Sequence, residues 1–155
     1  VAYKNFDMSA FFTGSQGNDI YNYNKIYTDF PTFVDGNRST RVLNSWTPTN
    51  TNTTVPALSQ SISNSETNPN SYFVEDGSYL RLKNIQIGYT LPETTLDKLN
   101  MSSLRLYVQA TNLFTITGYD GMDPEVIQGG NLTLGVDDQT YPFSQLFTFG
   151  VNLKF

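Results

Sequence analysis

A chain of 155 residues is long enough for one domain with its own core, and a mean hydropathy of -0.35 with 38% hydrophobic residues looks soluble. No run of about 18 apolar residues is available for a transmembrane helix, but mean hydropathy is blind to a barrel strand, which needs only about ten alternating residues. Cysteine and histidine are both absent, which removes disulfides, thiol nucleophiles, imidazole metal ligands and every Ser-His-Asp arrangement, and a net charge of -5 with no Lys/Arg cluster gives nucleic acid no reason to bind.

The sequence opens at Val1 in a strand-like pattern with neither an initiator Met nor a leader, and is expected to be a piece of a longer protein. Residues 1–15 alternate, with Phe6, Met8, Ala10 and Phe12 on one side, Asn5, Asp7, Ser9 and Thr13 on the other, and Phe11 as the exception. A long polar stretch follows over about 16–75, rich in Asn, Ser and Thr and broken by Pro31, Pro48, Pro56 and Pro69. Within it Ile26, Phe30, Phe33 and Val34 follow helical spacing, and Val42, Leu43 and Trp46 suggest a further helical turn.

The second strand is expected over about 77–91. Ile85, Ile87, Tyr89 and Leu91 share one side, while Leu80 and Leu82 have the opposite parity, which points to a bulge near Lys83 or to the place where the strand leaves a bilayer. A short connection at 92–102, with a helical turn around Thr95 to Leu99, leads to a third strand at 103–116, where Leu104, Leu106, Val108 and Ala110 oppose Arg105, Tyr107, Gln109 and Thr111. Residues 117–141 form a second long loop containing Gly118, Gly121, Gly129, Gly130 and Gly135, and a fourth strand covers 142–155. In that last strand Phe147, Phe149, Val151, Leu153 and Phe155 make an unbroken apolar row against Thr148, Gly150, Asn152 and Lys154.

Both a soluble sheet and an outer-membrane β-barrel alternate in this way. The order of connections favours the barrel, because long, short and long is what exterior loops and periplasmic turns impose, whereas a sandwich imposes no rule. On that reading 16–75 and 117–141 are extracellular, 92–102 is a periplasmic turn, and Phe155 is an aromatic anchor at the periplasmic interface. Four strands cannot close a barrel, so the fold class is an all-β, antiparallel transmembrane barrel segment whose other strands lie upstream. The alternative is a soluble β-sandwich carbohydrate-binding module with Trp46 in its site.

The run from Asp76 through Pro92 resembles the C-terminal region of SusC/RagA-type TonB-dependent outer-membrane transporters, as do Leu104 to Val108, Thr111 to Glu125 and the final strand. Gly14 to Asp19 and Trp46 to Pro48 are similar to further pieces of it, so the resemblance spans nearly the whole chain in order. It implies the last four strands of a barrel of about 22 strands occluded by an N-terminal plug. It also implies import of oligosaccharides or peptides across the Gram-negative outer membrane, energised through TonB, with a SusD-like surface lipoprotein as a lid. By resemblance to outer-membrane barrels generally, a final strand ending in Phe is what the barrel-assembly machinery recognises, which gives Phe147, Phe149, Val151, Leu153 and Phe155 a role in assembly.

No catalytic residue, cofactor or metal is expected. Asp120, Asp123 and Glu125 are close in sequence, as a calcium site or catalytic pair would want, but Gly118, Gly121 and Pro124 make a turn the plainer reading. Asp137 and Asp138 read as solvated loop charges. Trp46, Tyr21, Tyr23, Tyr27 and Tyr119 are candidates for ligand or partner contact, with loop packing as the alternative. The N-x-[ST] triplets at Asn37, Asn52, Asn100 and Asn131 arise by chance in an Asn/Thr-rich chain.

Overall fold

A computed structural model describes residues 1–33, 35–59, 61, 68–99, 101–126 and 133–155, with the side chains of Lys98 and Leu99 left out. Val34, Asn100, Gly129, Gly130 and Asn131 lie outside the described residues. The chain divides into two compact units, one made of Val1–Gln16, Tyr79–Thr117 and Phe143–Phe155, the other of Gly17–Ser78 and Gly118–Pro142. Among the described residues no helix is long and apolar enough to cross a membrane.

The first unit is a five-stranded antiparallel sheet in the order β1-β2-β5-β6-β8. Its strands are β1 (Ala2–Tyr3), β2 (Phe6–Ser15), β5 (Tyr79–Thr90), β6 (Ser103–Thr117) and β8 (Leu146–Lys154). Sequence periodicity placed a single strand over 1–15. The chain instead reverses at Lys4, whose φ of 52° is left-handed, so that Ala2 pairs with Asp7 and Tyr3 with Phe6. A two-residue reversal hides in an alternating pattern because β1 and β2 continue the same period through the turn.

The parity change in β5 is a bulge. Ile85 pairs with Ala10 and Leu82 with Phe12, so three steps along β5 match two along β2, with Lys83 as the extra residue. Across on β6, Leu82 pairs with Phe114 and Asn84 with Thr111, and Asn112 takes a left-handed φ of 51° to absorb the mismatch. The bulges bring Leu80, Leu82, Ile85, Ile87 and Tyr89 to one face of the sheet. Two residues on the opposite face require glycine neighbours. A Cβ at Gly88 would lie 2.4 Å from the Arg105 guanidinium, and one at Gly150 would lie 2.1 Å from the Tyr107 ring. The glycines let Arg105 cross β5 to reach Asp7 on β2, with Nε 2.9 Å from Oδ1, and let Tyr107 lie flat over β8.

Between β5 and β6, α2 (Glu93–Leu99) starts after Pro92, whose fixed φ and missing N–H suit a first turn, and carries the acidic Glu93 where the helix dipole favours it.

The second unit holds a small sheet in the order β4-β3-β7. In it β3 (Asp19–Asn22) runs antiparallel to β4 (Val74–Asp76) and parallel to β7 (Val136–Asp137). Helical spacing around Ile26 appears as α1 (Asn24–Asp29). The helix stops there because Phe30 precedes Pro31 and is forced extended, with ψ 106°. The turn around Val42 is a 3-10 helix at Thr40–Asn44, capped by the Ser39 hydroxyl accepting from the Arg41 N–H. The core of this unit is Ile26, Phe30 and Phe73, with Tyr21, Tyr23, Tyr27 and Tyr72 packed against it. Phe73 is 0% exposed.

Candidate functional site

The sheet carries its side chains the reverse way from a soluble layer. Phe6, Met8, Phe12, Leu80, Ile87, Leu106, Val108 and Ile116 are all exposed on the apolar face, while Asp7, Asn84, Gln86, Arg105, Tyr107 and Gln109 on the polar face are half-buried. Arg81 on the polar face is buried, its Nε donating to Thr115 Oγ1 at 2.8 Å. In β8 the whole row expected from sequence, Phe147, Phe149, Val151, Leu153 and the following Phe155, is exposed, with Phe149 at 79% and Phe155 at 83%. The register explains the continuity of that face: Phe149 pairs with Val108, which pairs with Ile87, which pairs with Met8. Exposed apolar area on this scale is what a surface meant for an apolar environment shows.

The second unit has the opposite character. Its buried charged groups, Lys25, Asp29, Asp123 and Asp137, each have a bonding partner. Lys25, which is 7% exposed, places Nζ 2.6 Å from Glu75 Oε1, and the same Oε1 accepts from Asn22 Nδ2 at 3.1 Å. Asp29 accepts from Arg41 Nε at 3.1 Å and from the Tyr72 hydroxyl at 2.7 Å. Arg41 also reaches Asp120, with Nη1 3.0 Å from Oδ2. Burial works against the Arg41 charge, but its bond to Asp29 more than offsets this and holds the guanidinium above its ordinary pKa. Burial, reinforced by the carboxylate each one donates to, raises the Tyr72 and Tyr119 hydroxyls well above the ordinary tyrosine range.

A pocket of about 560 Å³ opens in this unit, lined by Asn22, Asn24, Tyr27, Thr28 and Arg41 from one stretch and by residues 120–122 and 139–141 from the other.

No family model matches the chain. TonB-dependent receptor P3 of Formosa agariphila is 42% identical over 161 residues, covering 100% of this chain and 15% of that protein. TonB-dependent receptor SusC of Bacteroides thetaiotaomicron is 32% identical over 156 residues, again covering 100% of this chain and 14% of that protein. Among solved structures, that of the RagAB peptide transporter superposes with a TM-score of 0.76 at 33% identity, over 99% of this chain and 16% of that one. The chain belongs to the SusC/RagA-type TonB-dependent receptors. It spans 14 to 16% of the length of these relatives. Receptors of this type are outer-membrane transporters of Gram-negative bacteria, not enzymes, and a soluble β-sandwich is not favoured for this SusC/RagA-type segment.

In this SusC/RagA-type segment, Tyr21 and Tyr23 pack on the loop core, and Tyr119 is buried with its hydroxyl 2.6 Å from Asp137 Oδ2. Trp46 is 43% exposed, its backbone N–H held by Val55 O at 2.9 Å. Asp123 is buried and accepts from the Glu125 N–H, closing a turn, while Asp120 faces Arg41. Asp138 is exposed as expected of a loop charge, but Asp137 is not: it is 0% exposed, because it answers both the Tyr119 hydroxyl and the Thr140 N–H. Sequence reasoning missed Lys25, Asp29 and Glu75. A signal for the first two exists, since Lys25, Ile26, Asp29 and Phe30 share one helical face, and a charge on an apolar face requires a buried partner.

Proposed function

We propose that the chain is the C-terminal wall and part of the extracellular mouth of a TonB-dependent outer-membrane importer, with oligosaccharides as cargo. The apolar face of the sheet meets lipid, and the polar face, with Asn84, Gln86 and Gln109, meets the lumen. The connections at 16–78 and 118–145 stand outside the cell, and the Lys4 reversal and the α2 connection stand in the periplasm. The rest of a barrel of about 22 strands and its plug come from other parts of the protein. Its partners are outer-membrane lipid, a SusD-like surface lipoprotein over the mouth, TonB through the plug region, and the barrel-assembly machinery, which reads Phe147, Phe149, Val151, Leu153 and Phe155.

The observation that carries this reading is the unbroken exposed apolar face running from Met8 to Phe149 across the four long strands. Barrel walls require it, since lipid-facing and lumen-facing residues alternate along every strand. Import is tested by deleting the whole gene and measuring growth on oligosaccharides or on peptides as the only carbon source. Loss of growth on oligosaccharides is expected; loss on peptides alone would transfer the cargo to peptides, the class the RagAB transporter carries, and no loss on either breaks the importer reading. Removing Phe155 from the full-length protein is expected to lower its level in the outer membrane, and an unchanged level refutes the assembly role.

A further inference from the structure

The loop unit is strongly acidic. Residues 17–78 and 118–142 hold eleven Asp and Glu against three Lys and Arg. All three cations are engaged inside the unit. Lys25 pairs with Glu75, Arg38 donates to the Tyr27 and Pro31 carbonyls at 2.8 and 3.2 Å, and Arg41 is divided between Asp29 and Asp120. One guanidinium facing two carboxylates leaves a negative charge in excess, and an acidic surface of this kind draws cations in and turns anions away.

That excess borders the pocket of about 560 Å³, whose lining includes Arg41 and Asp120. A second, independent feature of the same lining is Asn22, which is 2% exposed. Its Nδ2 donates to Glu75 Oε1 at 3.1 Å, which fixes the amide, because turning it over would set an oxygen against the carboxylate. Its Oδ1 is buried and accepts from no donor. A buried acceptor left unsatisfied is costly, so a wall that keeps one suits a ligand that brings the donor. Tyr27 and Tyr141 add two phenol rings to the lining, the second at 85% exposure, and the face of such a ring attracts a cation. Excess negative charge, an acceptor lacking its donor and two ring faces all suit one group, a primary ammonium with its positive charge and three N–H donors.

Resting on the importer reading above, we infer that this pocket holds the ammonium of an amino sugar carried on the glycan cargo. Its volume falls in the range of small-ligand sites, roughly 300–1,000 Å³, and Asn24, Thr28 and Gln139 in the same lining offer amide and hydroxyl groups to the sugar's hydroxyls. Acetylating the sugar nitrogen removes the charge and two of its three donors. The pocket therefore discriminates by what stands on that nitrogen, and specificity is the resulting difference of affinities.

The test uses the full-length importer purified with its partners, titrated with a glucosamine hexamer and an N-acetylglucosamine hexamer, and with an end-capped lysine peptide and its side-chain-acetylated form. The glucosamine hexamer is expected to bind about tenfold tighter than its acetylated counterpart, equivalent to about 1.4 kcal/mol, and the preference is expected to shrink as salt rises. Asp120→Asn removes a charge and Tyr141→Ala a ring, both from exposed side chains. Each is expected to cut the preference to about threefold or less, with the outer-membrane level of both variants compared with wild type to show that they fold. The site is overturned if neither glycan binds, if the acetylated glycan binds as well or better, or if the preference survives both substitutions. A preference seen in the peptide pair alone overturns the sugar as its carrier. Cellular uptake separates the two readings: uptake of both glycans with no preference sinks the amine site alone, whereas a wild-type importer that takes up neither glycan nor peptide sinks the import reading.

Discussion

The two units obey opposite rules of burial. In the sheet, Phe149, Val151 and Leu153 are exposed while Arg105 and Gln109 are half-buried; in the loop unit, Phe73 is sealed and so are Lys25, Asp29 and Asp137. A single aqueous solvent would select one of these patterns and not both. The loop unit therefore behaves as a water-soluble body whose buried charges are compensated one by one, and the sheet behaves as a surface prepared for hydrocarbon. Composition averages the two, which is why a mean hydropathy of -0.35 describes neither.

The contrast can be broken most forcefully from the loop side. Glu75→Ala leaves Lys25 and the Asp120 N–H without their shared carboxylate, and loss of one member of a buried pair costs about 3–5 kcal/mol. Protease digestion of intact cells expressing the full-length protein should then cut within 17–78, and a wild-type digestion pattern would show that the pair is dispensable. A second substitution sharpens the sheet side. Phe149→Arg puts a charge on the apolar face and should cost about 2–4 kcal/mol near a bilayer midplane, whereas Thr148→Arg on the polar face should cost far less. Equal outer-membrane levels for the two variants would mean that the faces are not distinguished by lipid.

The smallest effect appears only in alkali. The hydroxyls of Tyr72 and Tyr119 have raised folded-state pKa values, so the unfolded chain ionises first, at about pH 10. The stability they contribute is fully present below that pH and is lost as pH rises toward their folded values. Unfolding of the loop unit followed across this range should show the decline, and Tyr119→Phe should flatten it.

The long strands were legible because a period of two survives in β2, β5, β6 and β8, and even the bulge left its mark in the parity of Leu80 and Leu82. The Lys4 reversal was not, since β1 is too short to carry a period of its own. The loop unit was opaque for a different reason. Its strands span two to four residues, and its stability depends on charges whose partners are distant in sequence, such as Lys25 with Glu75 and Arg41 with Asp120. Tyr21, Tyr23 and Tyr119 stood out as rings, but a ring packed inward and a ring offered to a ligand look alike until a neighbour such as Phe73 or Asp137 is placed beside it.

Lys83 acts as a one-residue phase shifter. Were the bulge ironed out with Lys83 drawn into the ladder, the pairing of β5 would become regular, and everything from Tyr79 to Leu82 would rotate by half a period, turning Leu80 and Leu82 onto the polar face and the Arg81 guanidinium onto the apolar one. Length on either side of the bulge is therefore under tighter constraint than side-chain identity: a neighbouring leucine could be exchanged for a valine with little consequence, but no codon inserted or removed there.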